Sequence, residues 1–463
     1  MDKTKQGRNS IDMLHGPLLM KILMFSLPLA ASSILQQLFN SVDVAVVGRF
    51  VGSRALAAVG SNTPVISLLI NLFVGISMGA NSVISNYIGS NNKEGIRKAV
   101  ATTMVVAVIS GVFLMVLGAV VARPILEAMG TPDDVLDMAV LYLRVYFMGM
   151  PFFMVFNFSA AILRSTGDTR RPLYILMVSG VVNTALNLVF VLCFGMGVEG
   201  VAIATGIANA VAAAVIVRML LKEEEPYRLH VKELRVHMAQ LRRMLQIGVP
   251  AGIQGMVFSI SNVFVQSTVN TYGADAIAGS AAALNFEFYC YFVIAAFNGA
   301  AISFVGQNYG AGLLHRVRRV FWICMGLGVT LCGALNWTFV IFHEFFLGLF
   351  STDPAVMQYG ATRMHIALAL QMIACSYEIT GSVLRGMGKS MTPAVLTILG
   401  TCVLRVAWVY FVCPVWHGFD VIMMVYPLSW ALTGVMVVAA YVRVMRKAKA
   451  RLSAAGADSQ LQQ

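Results

Sequence analysis

The chain of 463 residues is 58% hydrophobic and only 12% charged, with a formal net charge of +12 at pH 7. Soluble domains carry about 25% charged residues, so this composition excludes an ordinary soluble protein and indicates a polytopic membrane protein. The first apolar run continues to Val47, too long for the core of a signal peptide, and therefore predicts a first membrane span.

The hydropathy pattern predicts an all-α fold of twelve transmembrane helices. The predicted spans cover residues 18–47, 56–86, 99–122, 138–163, 172–195, 199–221, 240–270, 277–307, 318–342, 356–384, 393–413 and 419–442. The corresponding domains are a cytoplasmic N-terminus (1–17), an amino-terminal lobe (18–221), a cytoplasmic linker (222–239), a carboxy-terminal lobe (240–442) and a cytoplasmic basic tail (443–463).

The two halves of the sequence repeat. Residues 163–172 match 384–393, and Gly79-Ala80 matches Gly299-Ala300, at an offset of about 220 residues. Each half has six spans, an even number, so both halves enter the membrane from the same side as parallel repeats. We expect two six-helix lobes around a central cavity that opens to either side, an arrangement typical of a transporter.

Basic residues lie mainly in alternate connections between spans. On one side are Lys3, Lys5, Arg8, Lys21, Lys93, Arg97, Lys98, Arg164, Arg170, Arg171, the bases from Arg218 to Arg243, Arg316, Arg318, Arg319, Arg385, Lys389, Arg443, Arg446, Lys447, Lys449 and Arg451. The other side has Arg49, Arg54 and Arg123, with Arg144 and Arg363 just inside the next spans. The positive-inside rule predicts that both termini are cytoplasmic, so the charge reflects topology and not nucleic-acid binding.

Cysteines and histidines give no sign of a disulfide framework or a metal centre. All seven cysteines fall inside predicted spans, where we expect free thiols packed as small apolar residues. The seven histidines show no spacing typical of metal ligands. They are His15, His230, His237, His315, His343, His365 and His417.

A carboxylate, Asp43, lies in the outer third of the first span, and Gln36 and Asn40 precede it at helical spacing. An Asp at membrane depth costs roughly 2.5–3.5 kcal/mol on insertion scales, so it normally faces a protein interior or a water-filled cavity. Asp43 is therefore the leading candidate functional residue. The alternative is a structural Asp whose oxygens are satisfied by neighbouring amides.

Several amides and hydroxyls in the same half could surround that carboxylate. Asn183 and Asn187 share one helix face, Thr205 and Asn209 share another, and Asn157 lies in the fourth span. A carboxylate ringed by such oxygens could bind a proton or Na⁺. The competing interpretation is that Asn and Thr join membrane helices, at about 0.6–2 kcal/mol each, with no ion involved.

The carboxy-terminal half lacks the corresponding acid, because Val265 stands where the repeat would place it. Its charged intramembrane residues are Glu287, Glu378 and Arg405, and Gln254 is a further candidate for the cavity lining. One acid is expected to pair with Arg405, since an unpaired buried charge is costly. The other would be left for a cationic ligand, and the sequence does not decide which acid has which role.

Two motifs known from soluble proteins are discounted. Residues 195–200 fit G-x-G-x-x-G but join two apolar spans without a βαβ context. Asp133, Asp134 and Asp137 have the D-D-x-x-D spacing that binds Mg²⁺-diphosphate in prenyl-transfer enzymes, which leaves an integral-membrane transferase as an alternative. Thr131-Pro132-Asp133 instead indicates a helix start with acids in its first turn.

Four short motifs lie along the chain. They are Phe39-Asn40-Ser41-Val42-Asp43, Leu163-Arg164-Ser165-Thr166-Gly167-Asp168-Thr169, Val198-Glu199-Gly200-Val201-Ala202 and Gly306-Gln307-Asn308-Tyr309-Gly310-Ala311. Together with the two-lobe repeat, they resemble the multidrug and toxic compound extrusion (MATE) family of transporters, particularly its DinF/MepA-like bacterial branch. The resemblance covers nearly the whole chain, roughly residues 18–445.

The resemblance implies a monomeric antiporter of the bacterial plasma (inner) membrane, without cofactor or enzymatic activity, that exports organic, often cationic, compounds in exchange for H⁺ or Na⁺. It implies that Asp43 is the coupling residue, within a network of Asn157, Asn183, Asn187 and Thr205. Many relatives have Asp where this chain has Asn187, which favours H⁺ over Na⁺.

The main competing function is a flippase for lipid-linked oligosaccharides in the same superfamily. Such proteins tend to have a strongly basic central cavity and often fourteen spans. This sequence places one base, Arg405, deep inside a predicted span.

Overall fold

The computed structural model describes the backbone of residues 10–461 and the side chains of residues 10–450. Within these limits the fold is helical, with no strand. The N-terminal bases Lys3, Lys5 and Arg8 and the side chain of Arg451 lie outside the described part.

Fourteen helices follow one another along the described chain. They are α1 (Leu18–Val51), α2 (Ser53–Gly89), α3 (Lys93–Ala128), α4 (Asp133–Met148), α5 (Met150–Ser165), α6 (Arg170–Cys193), α7 (Val198–Leu221), α8 (Met238–Asn270), α9 (Ala274–Gly310), α10 (Leu314–Ile341), α11 (His343–Gly348), α12 (Pro354–Gly386), α13 (Met391–Val412) and α14 (Phe419–Leu461). A short 3₁₀ turn, Val231–Glu233, lies between α7 and α8.

Eleven of these helices are long and apolar enough to cross a membrane, and the bent pair α4–α5 makes twelve when counted as one span. The predicted number and places of the spans are therefore confirmed. The fourth span, predicted at residues 138–163, consists of two helices, because α4 and α5 meet at Gly149 with a bend of 47°. Pro151 in the first turn of α5 has no backbone N–H, so it cannot continue the helical hydrogen bonds of α4.

The structure forms two compact units, the first ending at Met256 and the second beginning at Val257. The division falls inside the continuous helix α8, and not in the connection between residues 222 and 239. The lobe boundaries that the sequence predicts, 18–221 and 240–442, follow the internal repeat and remain a prediction.

Within the first unit, α8 crosses α2 with almost no side chains between the two helices. Gly75 and Gly79 on α2 face Gly248 and Gly252 on α8, each pair with G-x-x-x-G spacing. A Cβ on Gly252 would lie 2.6 Å from the carbonyl oxygen of Leu72. Small residues allow such close backbone approach in membrane helices, where dispersion contacts supply much of the association energy.

Candidate functional site

Helix α1 is held against the α5–α6 region of the first unit at two points. The hydroxyl of Thr169 donates to the carbonyl of Phe25, 3.0 Å away. Further along α1, the ring of Phe39 occupies the space that a side chain at Gly180 would fill. Because Asp43 lies one turn beyond Phe39, this contact brings its carboxylate to the polar face of α6.

Asp43 is half-buried and accepts hydrogen bonds from two other helices. The amide nitrogen Nδ2 of Asn187 on α6 donates to Oδ1 of Asp43. The hydroxyl of Thr205 on α7 lies 3.4 Å from Oδ2. No basic side chain is among its hydrogen-bond or ion-pair partners in the part of the chain that has described side chains. The carboxylate is thus bound by neutral donors.

Asn183 connects these two donors. Its Nδ2 donates to the Thr205 hydroxyl at 3.1 Å, and its Oδ1 accepts from Nδ2 of Asn187 at 3.3 Å. The Thr205 hydroxyl also lies 3.0 Å from the carbonyl of Val201. The structure therefore brings together Asp43, Asn183, Asn187 and Thr205, as the sequence predicts.

Two tyrosines that the sequence analysis missed lie near this cluster. Tyr142 and Tyr146 on α4 are close enough to Asp43 for its charge to act on them, and their rings stack with centroids 5.8 Å apart. Their i, i+4 spacing, which places both rings on one face of α4, is the only signal that the sequence offers. They add aromatic surface to the amide and hydroxyl oxygens around the acid.

The remaining polar candidates of the first unit do not bond to Asp43. Asn157 donates to the carbonyl of Phe153 in its own helix, at 3.0 Å. Asn209 is half-buried one turn beyond Thr205, and Gln36 and Asn40 are exposed on α1. Gln254 is buried in α8. Their assignment to the coupling network or to a cavity lining remains a prediction.

The Asp43 cluster can exchange a proton or hold a small hard cation. Burial without a counter-charge favours the neutral form of an acid, whereas donated hydrogen bonds favour the charged form. The carboxylate, hydroxyl and amide oxygens are also the ligands that Na⁺ accepts. One of these, Oδ1 of Asn187, is buried and has no hydrogen-bond partner among the described residues.

In the second unit, the expected pairing of an acid with Arg405 is wrong. Glu287 pairs instead with Arg363, through Nε to Oε1 at 2.6 Å and Nη2 to Oε2 at 3.0 Å. Arg363, which the sequence placed at the edge of a span, is 2% exposed. The base that neutralises Glu287 is therefore Arg363 on α12. This helix packs on α9, which carries Glu287.

Further contacts fix this buried ion pair. Arg363 also donates to the hydroxyl of Ser280 at 2.7 Å, and its guanidinium lies 5.3 Å from the ring centroid of Tyr426. Gln371 donates to the backbone carbonyl of Glu287 at 2.9 Å. Because both charges are matched, we interpret Glu287 as a structural residue.

Glu378, on α12, has a different environment. It is half-buried and accepts a hydrogen bond from Nδ2 of Asn298 at 3.0 Å. Arg385 is near enough for its charge to act on Glu378, and no salt bridge of Glu378 occurs among the described side chains. Of the two acids, Glu378 is the one without a bound base.

Arg405 is fully buried, yet no carboxylate contacts it among the described side chains. Its Nη1 donates to Oδ1 of Asn262 at 2.7 Å, and its guanidinium lies between the rings of Phe258 and Tyr426 at 5.0 and 4.6 Å. Its Nη2 has no partner there. Arg405 is not the single buried base of the predicted spans, because Arg363 is buried too.

The discounted motifs behave as ordinary structural elements. Helix α4 begins at Asp133 with acids in its first turn, as predicted, and Asp137 pairs with Arg123. In the matching place of the second half, Asp353 caps α12 by accepting from the backbone N–H of Ala355 at 2.8 Å. All seven cysteines are free, and only Cys193 is exposed.

The long apolar helices, with a carboxylate held among neutral donors on one of them, are typical of a polytopic membrane transport protein. A family model named MatE matches the chain twice, at residues 28–189 and 250–411, an offset of 222 residues. The chain belongs to the MATE family of transporters. The double match confirms the internal repeat.

Known relatives agree with this assignment. The chain is 31% identical over 382 residues to the probable multidrug resistance protein YoeA of Bacillus subtilis. This match covers 81% of this chain and 82% of YoeA. It is 20% identical over 384 residues to the multidrug export protein MepA of Staphylococcus aureus, covering 83% and 85% of the two chains.

A solved transporter of the MOP superfamily from Pyrococcus furiosus has the same fold. Its TM-score is 0.89 at 21% identity, and the match covers 97% of this chain and all of that one. The protein is a transporter and not an enzyme, so the alternative of an integral-membrane transferase built on Asp133, Asp134 and Asp137 is wrong.

Proposed function

We propose that the protein is an alternating-access antiporter that exports small organic, cationic compounds in exchange for H⁺, with Asp43 as the coupling residue. One observation carries this proposal: Asp43 is held by Asn187 and Thr205, from two other helices, and has no basic partner among the described side chains. An acid in that position can gain and lose a proton without breaking a salt bridge.

The composition of the cluster supports H⁺ over Na⁺. Asp43 is its only acid, and Asn183, Asn187 and Thr205 are neutral. A second carboxylate would strengthen the attraction for Na⁺ and help to neutralise its charge. A single carboxylate is sufficient for a proton.

In the proposed cycle, Asp43 takes up a proton in the outward-open state, and its neutralisation favours a different packing of α1. Protonation drives transport only if it stabilises one state more than the other. Pro28 supplies a candidate hinge, because it lacks the N–H that would continue the helical hydrogen bonds. The hydroxyl of Ser32 donates to the Pro28 carbonyl at 2.8 Å, next to this interruption.

Glu378 is the candidate counter-charge for a cationic substrate in the second unit. The other candidate acid, Glu287, is already neutralised by Arg363, whereas Glu378 only accepts a hydrogen bond from the amide of Asn298. The names of the relatives YoeA and MepA refer to multidrug resistance and export, which is consistent with organic substrates. We further propose a monomer in the bacterial inner membrane, with both termini in the cytoplasm.

The test is ethidium efflux in everted membrane vesicles, with ΔpH and ΔNa⁺ imposed separately. Wild type is compared with Asp43→Asn, which keeps the side-chain shape and removes the titratable group. The matched control is Asp134→Asn, which removes an exposed carboxylate at the start of α4. We expect transport driven by ΔpH alone, lost in Asp43→Asn and unchanged in the control.

Two other results would contradict this proposal. Transport driven by ΔNa⁺ and not by ΔpH would contradict the choice of ion. If correctly inserted wild-type protein moves ethidium under neither gradient, the cation antiporter is excluded. A lipid-linked, phosphate-bearing substrate would then be the better hypothesis, because the buried guanidinium of Arg405, which contacts no carboxylate among the described side chains, suits an anionic group.

A further inference from the structure

Two histidines that are far apart in sequence meet in the second unit. His343 is the first residue of α11, directly after α10, and His365 lies in α12 two residues beyond Arg363. Their ring centroids are 4.7 Å apart, and the ring planes are inclined by 76°. His365 is exposed and His343 is half-buried, so a solute can reach the pair.

Both rings are held in the same tautomer. Nδ1 of His343 lies 2.9 Å from the carbonyl oxygen of Val340, and Nδ1 of His365 lies 2.7 Å from that of Ala361. A carbonyl oxygen can only accept, so each Nδ1 carries a proton. In the neutral rings, each Nε2 therefore keeps a free lone pair. Histidine ligands of metals commonly have this arrangement, with the other ring nitrogen donating to a backbone carbonyl.

We propose that His343 and His365 form a binding site for a divalent transition-metal ion of the Zn²⁺, Ni²⁺ or Cu²⁺ class. Two nitrogens bound tetrahedrally to one zinc ion at 2.0–2.1 Å lie about 3.3 Å from each other. Two imidazole rings that share such an ion have centroids about 5 Å apart, close to the 4.7 Å that separates the rings of His343 and His365. No group of three or more metal-ligating side chains is present in the described part of the chain, so water completes the coordination.

A bound ion would connect α11 directly to α12. It would act beside Arg363, whose pairing with Glu287 joins α12 to α9. The metal would therefore stabilise the arrangement of these three helices. This inference is independent of the proposed coupling at Asp43, since all of its residues lie in the second unit.

The experiment uses the purified full-length protein, prepared without a histidine tag, and Cu²⁺ as the probe. Electron paramagnetic resonance reports the number of nitrogen ligands, and competition with Zn²⁺ gives the relative affinity. The variants are His343→Gln and His365→Gln. The matched control is His417→Gln, which replaces an exposed histidine in the connection between α13 and α14.

We expect one Cu²⁺ per chain with two imidazole nitrogens in wild type and in the control. Each test variant should bind at least about tenfold more weakly, with one nitrogen lost. Zn²⁺ should raise the melting temperature of wild type and not of the variants. A wild-type spectrum with fewer than two imidazole nitrogens would overturn the proposal even if a variant failed to fold. Unchanged affinity in both folded variants would do the same.

Discussion

Nδ2 of Asn187 donates to the carboxylate of Asp43, while Oδ1 of the same amide is buried and has no hydrogen-bond partner in the described part of the chain. The amide nitrogen faces two acceptors, because Oδ1 of Asn183 also lies within 3.3 Å. This orientation suits an ionised Asp43. When the acid is protonated, the amide oxygen becomes the better group to face it, so Asn187 can respond to the charge of Asp43 by rotating.

Replacing Asn187 with Asp should introduce sodium coupling. The second carboxylate would lie next to Asp43, and two acids so close cannot both stay ionised without a cation. We expect Asn187→Asp to gain ΔNa⁺-driven efflux that wild type lacks. The measurement is ethidium transport in vesicles under a sodium gradient, with Asn209→Asp as the control that adds an acid one turn beyond Thr205. Equal sodium dependence in both variants would contradict a local effect.

The contact between Phe39 and Gly180 should be essential for the geometry at Asp43. A Cβ at position 180 collides with the Phe39 ring, so Gly180→Ala must move α1 away from α6. We expect efflux to fall at least about tenfold and the melting temperature to drop, since overpacking costs about 1–3 kcal/mol.

The double variant Gly180→Ala with Phe39→Ala provides the test of this cause. Removal of the ring makes room for the new methyl group, so the double variant should recover a large part of the lost transport. If the double variant is as inactive as Gly180→Ala alone, the steric explanation fails.

The Glu287–Arg363 pair should contribute to folding and not to substrate binding. Glu287→Gln leaves a buried guanidinium uncompensated, which costs about 3–5 kcal/mol. Replacing both residues, as Glu287→Leu with Arg363→Met, should restore much of the stability, because an apolar pair needs no charge matching. Thermal unfolding in detergent measures both changes. A folded, stable Glu287→Gln variant that transports no cation would show that Glu287 binds substrate.

Removal of Arg405 should be tolerated far better than removal of Arg363. Arg405→Met loses cation–π contacts of about 0.5–2 kcal/mol and the hydrogen bonds to Asn262 and Ser429, but it also removes a costly uncompensated charge. We expect a melting temperature equal to or above that of wild type, measured beside Arg405→Lys, which retains the charge. A strong loss of stability would indicate an anionic partner for Arg405.

The sequence predicts the Asp43 cluster well because its residues obey helical spacing. Asn183 and Asn187 lie four residues apart, so they share a face whatever the tertiary arrangement. On α7 the same spacing pairs Thr205 with Asn209, but of these two only Thr205 bonds to Asp43. No such spacing supports Asn157, and its amide donates to the carbonyl of Phe153 in its own helix.

The partner of Glu287 could not be predicted from spacing. Arg363 lies 76 residues away on another helix, and hydropathy alone placed it near the edge of a span. The two histidines illustrate the same limit, since 22 residues separate His343 from His365. In contrast, the bend between α4 and α5 has a local signal, Gly149 followed by Pro151, that the apolar content of the segment concealed.

The crossing of α2 and α8 has a consequence for how α8 can shift. Crossing angles are normally set by ridges of side chains that fit into grooves of the neighbouring helix. Where Gly75 and Gly79 meet Gly248 and Gly252, there are no ridges to disengage. A small slide or rotation of α8 at this point therefore needs no rotamer change, and it meets a lower barrier than the same displacement at an interdigitated contact.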